Sequence, residues 1–514
     1  MYAAAMRNCG ISDQGGVIRG MVLGLVVLAG ATGWTAQAPL ATVSVQSKTS
    51  GRQIPKDFVG FSLEVSTAGQ GLERFAGGNS EARRAAYALG SAEAPNQVFF
   101  QYMRNLGAGI LRLGGNSQDN TCWDPAAAPH PKLCQGTLSA ADFRNYAEAV
   151  KASGWRLMVG LNLKQNSSQW AVNEVTQGLA KELEPGQVMA LEIGNEPDLF
   201  DGAAGRAKNY SVTDLVKEFG AYAHAFQRNP VASRFGIAGP AACCAWRNAR
   251  DLGMFIDGVG AHTLKLVTVH EYPATTCNGR KVRVEQLLAP ELMAKFNQAA
   301  LSWVAAAHQR KLPIALAETN SASCGGMPGV SNAFAATLWG LDWLYSGAED
   351  GFTGVNFHIS YRPGGSSYNA IDTFEHGGAY ENVAEPLYYA MYLFAHSASG
   401  LHLLAAKTEA TANVRAYATS RCASCAVNVV VINKDASASG RVRVHLDRRA
   451  GAAKLTLLKA PSLDSRASAV SYGGRQFDKS GHIATPRSTE VRPDAHGDYD
   501  FDLPHAAVGF LEVQ

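Results

Sequence analysis

The stretch Val188-Met189-Ala190-Leu191-Glu192-Ile193-Gly194-Asn195-Glu196-Pro197-Asp198 decides how the rest of the chain is read. An apolar strand over 188–193 stops at a glycine and delivers an Asn-Glu pair to its carboxyl end, where a proline closes the turn. A carboxylate held there, with an amide beside it, is poorly placed as a surface group and well placed as a general acid. A second one, Glu318, ends Leu312-Pro313-Ile314-Ala315-Leu316-Ala317-Glu318-Thr319-Asn320. Two carboxylates at the ends of two separate apolar strands point to glycoside hydrolysis, which needs an opposed pair of carboxyl groups.

Outward from that pair, residues 57–385 alternate short apolar runs with longer helical patterns. The runs are 59–65, 109–114, 157–163, 188–193, 235–238, 266–270, 314–317 and 351–359, and helical patterns such as 141–152 and 331–345 separate them. Eight strands with intervening helices predict an α/β fold, the (β/α)8 TIM barrel. Periodicity alone leaves an open doubly wound sheet standing as well. The barrel is favoured because polar residues follow nearly every run: Glu64, Asn116, Asn162, Glu196, His270, Glu318 and His358. Barrel enzymes carry their chemistry at that carboxyl face. Counting strands puts Glu196 at the end of the fourth and Glu318 at the end of the seventh, facing one another across the mouth.

Past residue 385 the pattern changes. One more helix-like segment, 388–399, precedes alternating strands at 414–419, 427–432, 442–446, 455–459 and 508–513, with turn signals such as Asn433-Lys434-Asp435 and Gly473-Gly474. Residues 386–514 therefore read as a C-terminal antiparallel β-sandwich domain beside the catalytic barrel of 57–385. The 39–56 segment alternates over 41–45 and is expected to pair into that sandwich.

Length and composition agree with two domains. The 514 residues are 46% hydrophobic and 17% charged, and the formal charge of +3 gives no reason to expect nucleic acid or a membrane surface as a partner. Residues 1–38 read as a secretory signal: Arg7 and Arg19 precede an apolar run over 21–31, and Ala36-Gln37-Ala38 offers a small-x-small cleavage site. The run is too short to span a bilayer, so the mature protein is expected to be secreted or periplasmic. Once Cys9 leaves with the leader, the remaining cysteines are even in number, which suits export and disulfides. Cys122 with Cys134, and Cys422 with Cys425, are spaced to close local loops; the pairing of Cys243, Cys244, Cys277 and Cys324 stays open. Cys422-x-x-Cys425 lacks the second Cys/His pair a zinc site needs, and Gly114-Gly115-Asn116 lacks the spacing of a dinucleotide loop. No metal and no cofactor are expected.

Around the pair, Glu196 is the candidate acid/base and Glu318 the candidate nucleophile. Asn195 is placed to hydrogen-bond the sugar hydroxyl beside the reacting carbon. His270-Glu271-Tyr272-Pro273 ends the sixth strand, where the Tyr272 hydroxyl could keep Glu318 ionised and oriented. Glu271 points the other way in strict alternation. Glu64 ends the first strand, Asn116 follows the second, and Arg112 within the second could orient a buried carboxylate. Each has a plainer reading: helix-start carboxylates, a rim aromatic, a structural ion pair. Both carboxylates falling at matching strand ends argues against coincidence.

Leu111-Arg112-Leu113-Gly114-Gly115-Asn116, Gly194-Asn195-Glu196-Pro197 and Ala317-Glu318-Thr319-Asn320-Ser321 resemble the clan A retaining glycosidases. Phe61-Ser62-Leu63-Glu64, and the Gly-Gly that follows Glu318-Thr319-Asn320-Ser321, narrow the resemblance to the heparanase-like β-glucuronidases of glycoside hydrolase family 79. The resemblance implies hydrolysis of β-linked glucuronic acid with retention, without a metal, on a glucuronic-acid-containing oligosaccharide, polysaccharide or glucuronide. It further implies that Tyr hydroxyls and a glycine-containing loop hold the uronate carboxylate. Gly325 and Gly326 match that loop, and Tyr368, in Gly364-Gly365-Ser366-Ser367-Tyr368, matches the tyrosine loop after the eighth strand. Where many members carry a tyrosine after the nucleophile, this chain has Ser323-Cys324; a bridge to Cys277 would hold the loop covalently instead. The basic loop Cys277-Asn278-Gly279-Arg280-Lys281-Val282-Arg283 reads first as a solvated charge run and second as a distal subsite for an anionic glycan.

Two other readings stay open at this point. One is a clan A enzyme for neutral sugars such as β-xylosides or β-glucosides. The other is a carbohydrate-binding barrel without activity.

Overall fold

The computed structural model describes residues 38–48, 51–68, 89–90, 95–124, 134, 136–360, 366–376 and 379–514. The signal read over 1–38 (Ala38 apart) and Gly364-Gly365 lie outside the described residues. Strands Val59–Glu64, Ile110–Gly114, Arg156–Leu161, Val188–Ile193, Ile237–Ala242, Leu264–Glu271, Ile314–Thr319 and Val355–Ile359 close into a barrel. Every neighbouring pair in it is parallel. The TIM-barrel reading holds.

The fifth strand differs from its expected span. It starts at Ile237, after the turn Ala232–Arg234, and continues through Gly239-Pro240 to Ala242. Gly-Pro reads as punctuation in sequence. Here it pairs in parallel with the sixth strand across two register shifts. On its other side the ladder is short, with only Leu191↔Ile237 and Glu192↔Ala238 joining the fourth and fifth strands.

The barrel is filled from its lower end by small and flexible side chains. Ile110, Met158, Ala190, Ala238, Leu266, Ala315 and Ala317 form one buried cluster. Their smallness leaves room for the polar groups above them, Ser62, Arg112, Glu192 and Thr268, all fully buried. The surrounding helices follow ordinary rules. Ala140–Ser153, for example, starts at a Ser139–Asp142 capping box, stops at left-handed Gly154, and buries Phe143, Tyr146, Ala149 and Val150 on one face.

After the helix Pro386–Ser397 the chain builds a ten-stranded sheet. His402–Ala410 serves both halves of it: His402 to Leu404 pair with Val414–Ser420, and Ala405 to Ala410 pair with Ala41–Gln46. The early strand Ala41–Gln46 thus lies between His402–Ala410 and Gly440–Leu446. One face encloses Val43, Val45, Leu404, Val429, Val431, Val444 and Leu511. From the other, Tyr417, Val430, Ile432, Val508 and Phe510 join the core of the barrel. A fully buried ion pair crosses this junction: Lys434 Nζ lies 2.6 Å from Asp342 of the helix Phe334–Asp350, whose other oxygen accepts from the Tyr417 hydroxyl at 2.5 Å.

Candidate active site

A cavity of about 290 Å³ opens at the carboxyl ends of the barrel strands, and Glu64, Asn116, Glu196, Tyr272, Glu318 and Tyr368 line it. Glu196 and Glu318 come from opposite sides and approach closely, with a carboxylate oxygen of each and a ring nitrogen of His270 all within 4.8 Å of one another. Retaining glycosidases hold their carboxyls about 5–5.5 Å apart and inverting ones about 6.5–9.5 Å apart. The spacing is on the retaining side.

Glu318 is aimed by a break in the strand. Ala315 and Ala317 both face the barrel interior, so simple alternation would turn Glu318 outward. A register shift falls between Leu316 and Glu318 on the side of the sixth strand, and between Leu316 and Thr319 on the side of the eighth. That irregularity swings the carboxylate into the mouth. Arg112 Nη1 then donates to Oε2 at 2.6 Å, and the Tyr272 hydroxyl donates to Oε1 at 2.8 Å. His358 Nδ1 stands 3.6 Å from Oε2. Burial alone would raise the pKa of Glu318, but His358, Arg112 and the tyrosine hydroxyl outweigh it and hold the group well below the usual carboxylate range.

Glu196 meets the opposite conditions. Burial, then the charges of Glu318 and Asp198, push its carboxyl well above the usual range. Its polar neighbour is His270 Nδ1 at 3.1 Å. Burial and Arg112 lower His270 to about 4, so the ring is neutral. Its Nε2 has no hydrogen-bond partner among the described residues. The surroundings thus drive the two carboxyls apart, Glu196 upward and Glu318 downward.

Arg112 organises the floor beneath. Its guanidinium also donates to Glu192 at 2.6 Å, to Ser62 Oγ at 2.9 Å and to the Asn195 side-chain oxygen at 2.8 Å. Glu64 accepts from the Ser117 hydroxyl and amide and from the Asn116 amide, and lies 3.7 Å from His358 Nε2. Gly115 makes this possible: its φ is +74°, and a Cβ there would stand 2.6 Å from the Glu64 carboxyl. His358, flanked by Glu64 and Glu318, has its pKa raised by those charges against the effect of burial.

The other expected residues fall in different places. Asn116 is exposed on the cavity wall. Tyr368 is buried, its ring 6.4 Å from that of Tyr272. Gly325 and Gly326 lie behind the wall, where Gly325 accepts from the Ser367 amide and a Cβ on Gly326 would come within 3.0 Å of the Tyr368 Cβ. The wall itself runs through Ser323 and Cys324, and Cys324 is bridged to Cys277. Bridges also join Cys122 to Cys134 and Cys422 to Cys425, while Cys243 carries a free thiol in the cavity wall. Arg280 stands exposed at the rim, so part of the basic loop belongs to the cavity. Glu271 points away, as alternation requires, into an ion pair with Arg247, whose guanidinium lies 5.3 Å over Trp303.

Among the described residues, two clusters are compact enough to hold a metal ion, Glu196–His270–Glu318 and Asp198–Cys243–Cys244. In the first, Arg112 and Tyr272 already take both Glu318 oxygens. In the second, the Asp198 oxygens accept from the amides of Cys243, Cys244 and Ala245.

Among characterised proteins, the chain is 24% identical to a Neurospora crassa β-glucuronidase over 64% of its own length, and 28% identical to Gallus gallus heparanase over 43%. It resembles the heparanase-like β-glucuronidases. It spans 62% of the Neurospora protein, 59% of an Aspergillus niger β-glucuronidase and 42% of the chicken protein. No family model matches it. Among solved structures, a rhamnosyl-glucuronidase from Fusarium oxysporum superposes with a TM-score of 0.72 at 18% identity, over 91% of this chain and 99% of that one. An arabinofuranosidase from Xanthomonas axonopodis pv. citri gives 0.66 at 13% identity, over 93% and 100%. At such identities these likenesses speak for the fold.

Sequence reasoning missed Asp119, Asp198, Arg247 and the part played by His358. His358 was visible as a polar residue after the eighth run. The other three act through backbone amides, or through a partner from a different strand, and leave no local pattern.

Proposed function

We propose that the protein is an exported retaining β-glucuronidase. The observation that carries the reading is the opposed pair itself, Glu196 and Glu318 with carboxylate oxygens within 4.8 Å, in surroundings that push Glu196 up by burial and the Glu318 charge and hold Glu318 down by His358, Arg112 and the Tyr272 hydroxyl. Glu318 attacks the anomeric carbon while Glu196 protonates the departing oxygen, giving a glycosyl-enzyme. Esterification removes the charge on Glu318 that helps keep Glu196 protonated. Glu196 then ionises more readily and takes a proton from the water that releases the sugar. Arg112 and Tyr272 hold Glu318 in line for both steps.

The relatives named β-glucuronidase support the choice of sugar. The guanidinium of Arg247 is already paired with Glu271. A uronate carboxylate is therefore read by hydroxyls and amides near Thr275, Ser323 and Tyr368, with Arg280 at the rim. Export is supported by the leader pattern and by the bridges Cys122–Cys134, Cys277–Cys324 and Cys422–Cys425 among the described residues. No helix among the described residues is long and apolar enough to cross a membrane.

The test is release of nitrophenol from the β-glucuronide, β-glucoside and β-xyloside, with NMR of the first-formed anomer. Turnover of the glucuronide to the β-anomer is expected. Turnover confined to a neutral sugar would overturn the choice of substrate, and an α-anomer would overturn the mechanism.

A further inference from the structure

Asp119 is a buried carboxylate that the reaction above does not use. It sits in the turn Gln118–Asn120 after the second barrel strand and is 1% exposed. Its Oδ1 accepts from the Leu163 amide at 2.6 Å and the Lys164 amide at 3.2 Å, and its Oδ2 accepts from the Asn195 amide at 2.8 Å. All three donors follow the carboxyl ends of the third and fourth strands. The preceding residue clamps the same two strands, since Gln118 Nε2 donates to the carbonyls of Leu161 and Glu192.

This clamp stands where the ladder gives out. Pairing between the fourth and fifth strands ends at Glu192↔Ala238. The next amides each find a separate acceptor: Gly194 donates to Leu161 at 3.0 Å, Asn195 to Asp119, and Glu196 to Ala241 at 3.0 Å. Only one of those acceptors is a side chain. The segment needs fixing, because Gly194 and Glu196 both have positive φ, at 80° and 49°. For a residue with a Cβ that conformation is unfavourable and persists only where the surroundings enforce it. Burial lifts Asp119 to about 6, against the pull of the three amides and the nearby Lys164 charge, so it is largely ionised at neutral pH.

We propose that Asp119 is a positioning residue: by fixing the Asn195 amide it seats the adjoining Glu196 carboxyl against the leaving oxygen, an inference that rests on Glu196 being the acid/base. The Asn195 side chain is held separately by Arg112. Asp119 therefore governs the path of the backbone, while Arg112 governs the amide group.

Two variants test this. Asp119→Asn sets an N–H2 against one of the amides it now accepts from, and Asp119→Ser removes the carboxylate altogether. Each is assayed on dinitrophenyl β-glucuronide, whose leaving group departs without a proton, and on phenyl β-glucuronide, which needs the acid. Circular dichroism melts are recorded alongside. A misplaced acid lowers kcat/KM on the phenyl substrate by about tenfold or more beyond the loss on the dinitrophenyl one, a modest part of what general acid catalysis supplies. Equal losses on both substrates would make Asp119 structural only and overturn the proposal. Failure of both variants to melt cooperatively would overturn it too, by showing a folding role. A parent enzyme that cleaves neither glucuronide would instead bring down the reading of function on which the inference stands.

Discussion

Glu318 keeps its charge in a buried site because specific atoms favour it, and each of them can be removed. Tyr272→Phe takes away the hydroxyl at 2.8 Å, which lowers the pKa of Glu318. Without that donor the folded pKa rises, so under the proposed roles the acid limb of kcat/KM moves to higher pH, while the alkaline limb, assigned to Glu196, stays near its place. A loss of about tenfold in kcat at the optimum is expected from one hydrogen bond to a charged group. An unchanged acid limb in the pH–rate profile would show that the hydroxyl plays no part in the ionisation. At this scale the sequence was legible where chemistry is local: Asn195-Glu196, Glu318 and Tyr272 stand at strand ends whose apolar runs are plain. Asp119 was not legible, because an aspartate in a Gln-Asp-Asn turn looks like any turn residue until three amides from other strands arrive at it.

Elements place these side chains, and they do so through irregularities as much as through regular geometry. The shift between Leu316 and Glu318 cannot be read from alternation, which sends Glu318 the wrong way. A second irregularity is the π-helix Glu174–Leu179. At its start Glu174 is 3% exposed, its Oε1 has no partner among the described residues, and burial raises it to about 8 from 4.5. Below pH 4.5 the carboxyl is protonated in both folded and unfolded chains. Between pH 4.5 and about 8 the unfolded chain ionises first, so stability falls as pH rises through that window. Glu174→Gln should therefore melt close to the parent at pH 4 and higher than it at pH 8. A gain of roughly 1–2 kcal/mol is expected after allowing for local relaxation. Parallel melting curves at the two pH values would refute the assignment. Periodicity predicts a helix here well enough, yet it cannot show that one extra residue per turn carries an acid inward.

Across the whole molecule the barrel and the ten-stranded sheet share a core, and Lys434–Asp342 is its charged rivet. Lys434→Met leaves Asp342 buried with Tyr417 and the more distant Arg415. Removing one partner of such a pair costs about 3–5 kcal/mol. The variant should unfold at clearly lower urea with its active-site residues untouched, and an unchanged midpoint would mean that the contact contributes nothing net. The two-part layout was legible because the pattern changes near residue 385. The rivet was not, since neither partner looks unusual in its own segment.

The strand Ala41–Gln46 has a consequence for the order of assembly. It leaves the ribosome before any of the barrel, yet both of its neighbours, His402–Ala410 and Gly440–Leu446, are among the late parts of the chain. At ~5–20 residues per second it waits on the order of half a minute for an edge to dock against. Through that interval its alternating valines stay exposed, and the barrel must close without them. One of the earliest segments of this protein is thus placed only after the whole barrel has been made, and a nascent chain released short of residue 440 would be left with an unpaired sticky edge at its beginning.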